Sequence, residues 1–383
     1  MARAVCAASS NKFQKTMRRA VILRACGFSR FVICCAVVAR TSCLSTESLN
    51  SVDNFCALWY ALCMELKEEV LQRLESARGE YISGEQLAEQ LGVSRNAVWK
   101  CVKRLEKDGF AISSVKNRGY AVLPESDALS AVGIEKFLPE GFGVKVLKKA
   151  ASTNDEVKSL AAEGAPEWSA VIAEEQSAGR GRYRRPFYSP AGSGLYMSIL
   201  LRPKFPASET LFITTSAAVA VAEAIEAVSG KYAEIKWVND VFLGGKKVCG
   251  ILTEASFDVE SGGLAYAVVG IGVNVKAASF PKELQGVAAS VFAEGEYPSE
   301  GRARLAAEIL IRFRRYVDRI GERAFYEEYK GRCFVVGKRV RVLSGTLEGE
   351  AEVVALDENC FLIVRFDDGT LRTLSAGEVS IKV

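Results

Sequence analysis

The chain has 383 residues, 49% of them hydrophobic and 25% charged, enough to bury more than one core and too apolar for wholesale disorder. It contains no histidine, which excludes Ser-His-Asp and Cys-His catalysis and histidine-based zinc sites. The net charge of +4 is unevenly placed: eight of the 50 basic residues, but only Glu47 and Asp53 of the 46 acidic ones, fall in the first 63, and the near-neutral remainder argues for defined sites rather than wholesale nucleic-acid coating.

Residues 1–63 read as an extension apart from the folded body of the chain. No acidic residue precedes Glu47, and the longest apolar run, Phe31–Ala39, is fenced by Arg30 and Arg40 and is far too short to span a bilayer, so no membrane partner is expected. A signal or organelle transit peptide is one reading. Translation starting at Met64 is favoured, because a helix begins right after it. The extension holds Cys6, Cys26, Cys34, Cys35, Cys43, Cys56 and Cys63. Cys101, Cys249, Cys333 and Cys360 lie apart without a CxxC pattern, as expected for buried thiols of a cytoplasmic protein, with no metal site.

Over 64–124 the pattern predicts a winged helix-turn-helix. Leu66, Val70, Leu71 and Leu74 recur at helical spacing up to Gly79. Ser83 precedes a second helix, Gly84–Leu91, with Gln86 at capping-box spacing, and Gly92 makes the turn. Ser94 caps a third helix ending near Lys107, with Val98, Val102 and Leu105 inward and Arg95, Asn96, Trp99, Lys100, Lys103 and Arg104 outward. Ala111–Val115 and Gly119–Leu123 form a hairpin around the basic tip Lys116-Asn117-Arg118. A polar-basic helix and a basic wing suit a major groove and its flanking phosphates, which makes Gly84, Ser94, Arg95, Asn96, Trp99, Lys100, Lys103, Lys116 and Arg118 the candidate DNA-binding residues. A three-helix protein-interaction module is the alternative.

Residues 127–330 read as an α+β unit: a sheet layered with helices. Strands are expected at Val144–Lys149, Ala170–Glu175, Leu195–Arg202, Ala233–Val238, Lys247–Ala255 and Leu264–Val275. Leu195, Met197, Ile199 and Leu201 alternate as on a sheet with one buried face. Helices are expected over Glu209–Val228, with Leu211, Thr215, Ala218, Val219, Ala222 and Ile225 on one side, and over Arg302–Tyr329. Gly270-Ile-Gly272 is a lone GxG inside a strand, and no GxxxxGK[ST] occurs, so neither a Rossmann nor a P-loop site is expected.

The most informative stretch is Ala178–Pro190, AGRGRYRRPFYSP. Gly179 and Gly181 let the backbone turn tightly, while Arg180, Arg182, Arg184 and Arg185 supply charge-assisted donors for phosphate oxygens. A solvated basic loop is the alternative for this stretch alone. Further polar strings follow predicted strands: Ser152-Thr153-Asn154, Lys236-Trp237-Val238-Asn239-Asp240 leading to Lys246-Lys247, and Asn274.

Ser152-Thr153-Asn154, Gln176, Gly179-Arg-Gly-Arg182, Lys236-Trp-Val-Asn-Asp240, Lys247 and Gly250-Ile-Leu stand in an order and spacing that resembles the biotin protein ligases, in particular the longer, bifunctional type with a DNA-binding domain that represses biotin synthesis genes. The resemblance covers about residues 64–383. It implies a central mixed sheet of the class II aminoacyl-tRNA-synthetase/biotin ligase-like kind, and condensation of biotin with ATP to biotinyl-5′-adenylate. The biotinyl group then passes to a lysine of a biotin carboxyl carrier domain. It implies biotin contacts from Ser152, Thr153, Asn154, Gln176, Arg180, Gly181, Arg182 and Lys247. Nucleotide contacts would come from Gly179, Arg185, Asn239, Asp240 and Asn274, and the reacting groups would face Lys247, Arg180 and Arg182. Mg²⁺ is the implied helper, operator DNA the second partner and a homodimer the adenylate-bound state.

The residue types fit that chemistry. Neutral groups satisfy a neutral ureido ring without burying charge, and cations offset the charge built at the α-phosphate. A carboxylate is already nucleophilic, so no general base is needed. The sequence departs from the family's pattern at Arg184, where glycine is common, at Pro186, and at Val238, where proline is frequent; the first two should stiffen the loop. Trp237 is expected in the core. Val336–Val383 predicts a small β-barrel from Arg339–Leu343, Glu350–Leu356, Phe361–Phe366, Leu371–Leu374 and Val379–Val383, with no chemistry assigned. The rival readings are a lipoate ligase-like acyl transferase and a non-catalytic, ligand-sensing repressor.

Overall fold

The computed structural model describes residues 65–381 except 207–208, 258–262, 277–279 and 345–346. The expectations for residues 1–63 lie outside the described residues. Contacts divide the chain into two compact units, one comprising residues up to Arg73 with Gly84–Arg104, the other Leu74–Ser83 with Leu105–Val383.

Helix α1 spans 65–76, α2 is Gly84–Leu91 and α3 is Arg95–Lys107. Between α2 and α3, Gly92 takes a left-handed φ of 64°, which is nearly free for glycine and reverses the chain. Ser94 Oγ accepts from Ala97 N at 3.2 Å, the expected cap. Leu87, Val98 and Val102 are fully buried. In the other unit, β1 (Ile112–Val115) and β2 (Gly119–Val122) pair antiparallel as the expected hairpin.

The larger unit is built on a seven-stranded mixed sheet. Its strands are β3 (Gly143–Leu147), β4 (Ser169–Ala173), β5 (Gly194–Leu201), β6 (Glu234–Lys236), β7 (Asp240–Leu243), β8 (Lys246–Phe257) and β9 (Leu264–Asn274). The order is β3-β4-β5-β9-β8-β7-β6, with β3 and β4 parallel and the other neighbours antiparallel. Helix α4 (Thr153–Ala162) covers one face through Val157 and Ala161, which meet Val171, Leu200 and Val268. Helices α5 (Thr210–Ser229) and α6 (Gly301–Val317) cover the other face, where Ile172, Met197, Ile199, Val269 and Ile271 join the main core.

Several expectations need correction. Strand β5 is buried along its whole length, because α4 covers the face expected to be open. Helix α5 is buried all round rather than on one side, with Phe212, Ile213, Ala217, Val221 and Ala224 also inside. The single helix expected over Arg302–Tyr329 is broken: α6 ends at Val317, Arg323 turns left-handed at φ 52°, and a separate helix α7 runs Tyr326–Arg332. The strand expected at Ala233–Val238 stops at Lys236, and Asp240 begins β7, a strand the pattern does not announce. Ser152-Thr153-Asn154, which follows a predicted strand, also opens α4, a helix the pattern does not announce.

The C-terminal strands, β10 (Arg339–Ser344), β11 (Leu347–Leu356), β12 (Leu362–Phe366), β13 (Leu371–Leu374) and β14 (Glu378–Ile381), make an antiparallel sheet in the order β13-β12-β11-β10-β14. Among the described residues β13 and β14 remain the two edges, so the sheet is open and the expected closed barrel is not formed. Trp237 is buried as expected, and its Nε1 donates to Cys360 O at 2.8 Å. Cys101, Cys249, Cys333 and Cys360 are buried and form no disulfide among the described residues.

Candidate functional site

A cleft of about 380 Å³ opens over the strand ends of the mixed sheet. It is lined by Ser152, Thr153, Asn154, Gln176, Arg180, Gly181, Arg182, Arg185, Asn239, Asp240, Lys247 and Asn274, every candidate ligand residue of this unit except Gly179. Strands far apart in sequence converge here because β9 runs down the middle of the sheet and brings β5 and β8 to either side.

The floor is made of missing side chains. A Cβ on Gly270 would stand 2.3 Å from Asn154 Oδ1, and one on Gly272 would stand 2.5 Å from the Phe187 ring. Two residues apart in a strand, both point to the same face, and Gly250 is the cross-strand partner of Gly272. Spacing already carried this signal in the GxG, which reads as a weak nucleotide motif until the register is known.

One wall is polar and neutral. Thr153 N and Oγ1 donate to Gln176 Oε1 at 2.9 and 3.1 Å, and Gln176 Nε2 donates to Ser189 Oγ at 3.0 Å. Beneath them, the hydroxyl of fully buried Ser198 on β5 lies between Thr153 Oγ1 at 2.7 Å and Asn154 Oδ1 at 2.6 Å, with one proton to share between them. Asn154 Nδ2 donates to Glu254 Oε2 at 2.7 Å. Both ends of the Asn154 amide are therefore engaged by the protein, which makes it a pin as much as a free contact. Burial opposes ionisation of Glu254, but hydrogen bonds from Lys158 and Asn154 outweigh it and lower the pKa. The sequence does not single out Ser198 or Glu254, since one serine and one glutamate within strands look like any others.

A second set of lining groups is cationic. Arg180 pairs with Asp155 at 2.5 Å, a hydrogen bond that raises the arginine pKa further. Arg182 donates to Asn239 Oδ1 at 3.1 Å and to Gly377 O at 2.6 Å, and Arg185 pairs with Glu378 at 2.9 Å. Lys247 Nζ sits 2.6 Å from Asp240 Oδ1, and its backbone is tied to Val287 O and Ala289 N at 2.9 Å each. The turn carrying Gly377 and Glu378 thus reaches the arginine loop, a contribution from the C-terminal strands that no local motif signals.

Gly179 is buried and does not line the cleft. An added Cβ would lie 2.9 Å from both Phe187 O and Ser189 Oγ, so the absence of a side chain lets the loop pack on itself. The loop closes through Phe187 N to Gly179 O at 2.9 Å and Gly181 N to Arg185 O at 2.8 Å. Tyr183 and Arg184 both hold left-handed φ, 54° and 57°, a conformation costly for residues with a Cβ.

On α3, Arg95, Asn96, Trp99, Lys100, Lys103 and Arg104 are exposed, with Trp99 47% accessible. Ser94 is exposed and Gly84 partly so. Lys116 and Arg118 are exposed at the hairpin tip of the other unit.

Known proteins share these features. The biotin/lipoate A/B protein ligase family matches residues 146–274, a helix-turn-helix (HTH) domain matches 67–121, and the biotin protein ligase C-terminal domain matches 335–382. The bifunctional ligase/repressor BirA of Bacillus spizizenii is 35% identical over 325 residues, covering 81% of this chain and 97% of the relative. That of Bacillus subtilis is 34% identical over the same length and the same shares. The structure is also similar to the biotin protein ligase from Aquifex aeolicus in complex with biotin and ATP, with a TM-score of 0.54 and 28% identity over 63% of this chain and 98% of that one. Sequence, fold and cleft agree that this chain belongs to the biotin protein ligases, within the group of bifunctional ligase/repressors.

Proposed function

We propose that the cleft condenses biotin with ATP and passes the biotinyl group to a lysine of a biotin carboxyl carrier domain. The observation that carries this is that neutral hydrogen-bonding groups and a set of cations line one cleft over a glycine floor. The ureido ring, with one carbonyl and two N–H groups, is met by Ser152, Thr153, Asn154 and Gln176, held by one another and by Ser198. Gly270 and Gly272 let Asn154 and Phe187 lie close against the sheet, which leaves room beside them for the flat bicyclic ring. At the other end Lys247, Arg180 and Arg182 face the valerate carboxylate and the α-phosphate. Asn239, Asp240, Asn274 and Arg185 surround the nucleotide.

A carboxylate oxygen attacks the α-phosphorus, a P–O bond forms, and the bond to the β-phosphate oxygen breaks with its electron pair leaving on pyrophosphate. The carrier lysine's amine then displaces AMP. No histidine is required, because each step is positioning and charge compensation. Among the described residues no group of three or more Cys, Asp or Glu side chains could hold a metal ion. When bound, Mg²⁺ would arrive on the triphosphate and offset phosphate charge, and Asp240 is a lining carboxylate that could face it.

The exposed face of α3 and the hairpin tip support operator binding, with adenylate favouring a homodimer on a palindromic site. Buried thiols without a disulfide at the four described cysteines support a reducing, cytoplasmic setting. Biotin-dependent ATP–pyrophosphate exchange, run beside lipoate, tests the enzyme. Exchange with biotin alone is expected, and exchange with lipoate instead would overturn the assignment of the neutral wall.

A further inference from the structure

Five cations line the cleft, and four of them are already engaged. Arg180 has Asp155, Arg182 has Asn239 and Gly377 O, Arg185 has Glu378 and Lys247 has Asp240. The fifth, Lys236, ends β6 half-buried, and among the described residues no acceptor lies within hydrogen-bond reach of its ammonium. It stands directly across from Asp240 in the β6–β7 register, so both side chains lie on the same face of the sheet, with Lys247 beyond Asp240. A partly buried ammonium without a partner is costly unless a ligand supplies the anion.

The charge balance says which anion. The lining carries five cations against only Asp240 and Glu378. Lys247, Arg180 and Arg182 are committed to the carboxylate and the α-phosphate in the reading above, on which this inference rests. The remaining charge of the nucleotide lies on its β- and γ-phosphates. We propose that Lys236 is the cation that receives those phosphates and stabilises pyrophosphate as it leaves. As the bond between the α-phosphorus and the bridging oxygen breaks, the electron pair settles on pyrophosphate, and Lys236 N–H groups donate to the oxygens that gain charge. No proton needs to be transferred.

Such a role belongs to the first half-reaction only, because pyrophosphate has left before the carrier lysine attacks. It also gives a pH signature. Burial lowers the Lys236 pKa, Lys247 and Arg185 push the same way, and Asp240 and Glu378 oppose them. These groups come from β8, the arginine loop, β7 and β14, the elements around it. The cation is present at low pH and is lost as pH rises through the lowered value, earlier than for an ordinary lysine.

The test uses the full chain carrying Lys236→Met, which keeps the apolar stem, beside Lys236→Arg, which keeps the charge. Lys236→Met should slow biotin-dependent ATP–pyrophosphate exchange about 100-fold, as for loss of one preorganised donor to developing charge. It should raise the pyrophosphate concentration needed for half-maximal exchange, and leave transfer from supplied biotinyl-adenylate to the carrier domain unchanged. Lys236→Arg should restore exchange and abolish the alkaline fall in rate. Equal losses in both half-reactions, or intact exchange in Lys236→Met, would overturn the proposal, as would an alkaline fall that persists in Lys236→Arg. A wild-type protein with no biotin-dependent exchange would instead remove the ligase reading beneath it.

Discussion

Gly272→Ala isolates the role of the glycine floor. The new methyl would lie 2.5 and 2.6 Å from two Phe187 ring carbons, inside any tolerable contact, while the strand backbone accepts alanine without strain because Gly272 does not hold a positive φ. Phe187 must move, and it sits on the arginine loop, edge-on to Tyr196 at 6.4 Å between centroids. Overpacking of this kind costs about 1–3 kcal/mol. Against it, alanine in place of glycine within a strand gains about 0.5–1 kcal/mol by restricting the unfolded chain. Global stability should therefore fall by about 0–2.5 kcal/mol. Ligand affinity should not escape so easily, because the loop that carries Phe187 also carries Arg180 and Arg182. Holding it displaced should weaken biotin binding roughly 5- to 100-fold, taking 1.4 kcal/mol per decade. Calorimetric titration with biotin beside a thermal melt measures both quantities. A double mutant with Phe187→Ala removes the clash, and the coupling should then be large and positive. Biotin affinity unchanged within about twofold in the single mutant would refute the floor argument.

Lys247→Ala should leave the melting temperature close to wild type, since Lys247 is only partly buried and its backbone ties to Val287 and Ala289 remain, yet cut adenylate formation about 10²–10³-fold in single-turnover assays. Arg184→Gly should relieve a left-handed φ of 57° worth about 1 kcal/mol, so the loop resists limited proteolysis at least as well as wild type and adenylation persists; faster cleavage would count against strain at that position. Lys103→Ala, at an exposed α3 position, should leave the fold intact and lower the slope of log affinity against log salt by about 1. An unaltered slope in that variant would remove Lys103 from the DNA contacts.

The elements that form from local pattern alone were legible. The α2-turn-α3 unit follows from apolar spacing, the Ser94 cap and Gly92, all properties of a few consecutive residues. The cysteine pattern likewise announced buried thiols. Most of the cleft was legible through the resemblance to the biotin protein ligases, which gathers the arginine loop, Ser152-Thr153-Asn154, Lys247 and Asn274 into one site, whereas the arginine stretch by itself reads equally well as a solvated loop. What pattern could not give was anything decided by a partner strand. β7 is a strand because β6 and β8 flank it, and β5 is buried on both faces because α4, itself hidden behind a Ser-Thr-Asn string, covers it.

The sequence by itself determined the chemistry on offer: no imidazole, an arginine loop between glycines, and neutral hydrogen-bonding groups suited to an uncharged ring. Tertiary structure alone decided which of those groups are free to act. Gly179 turns into packing, Asn154 has both amide ends taken, Gly377 and Glu378 arrive from more than a hundred residues away, and Lys236 is left without an anion. The physical reason is that hydrogen-bond satisfaction and burial are properties of pairs, and sheet register, not chain order, chooses the pairs.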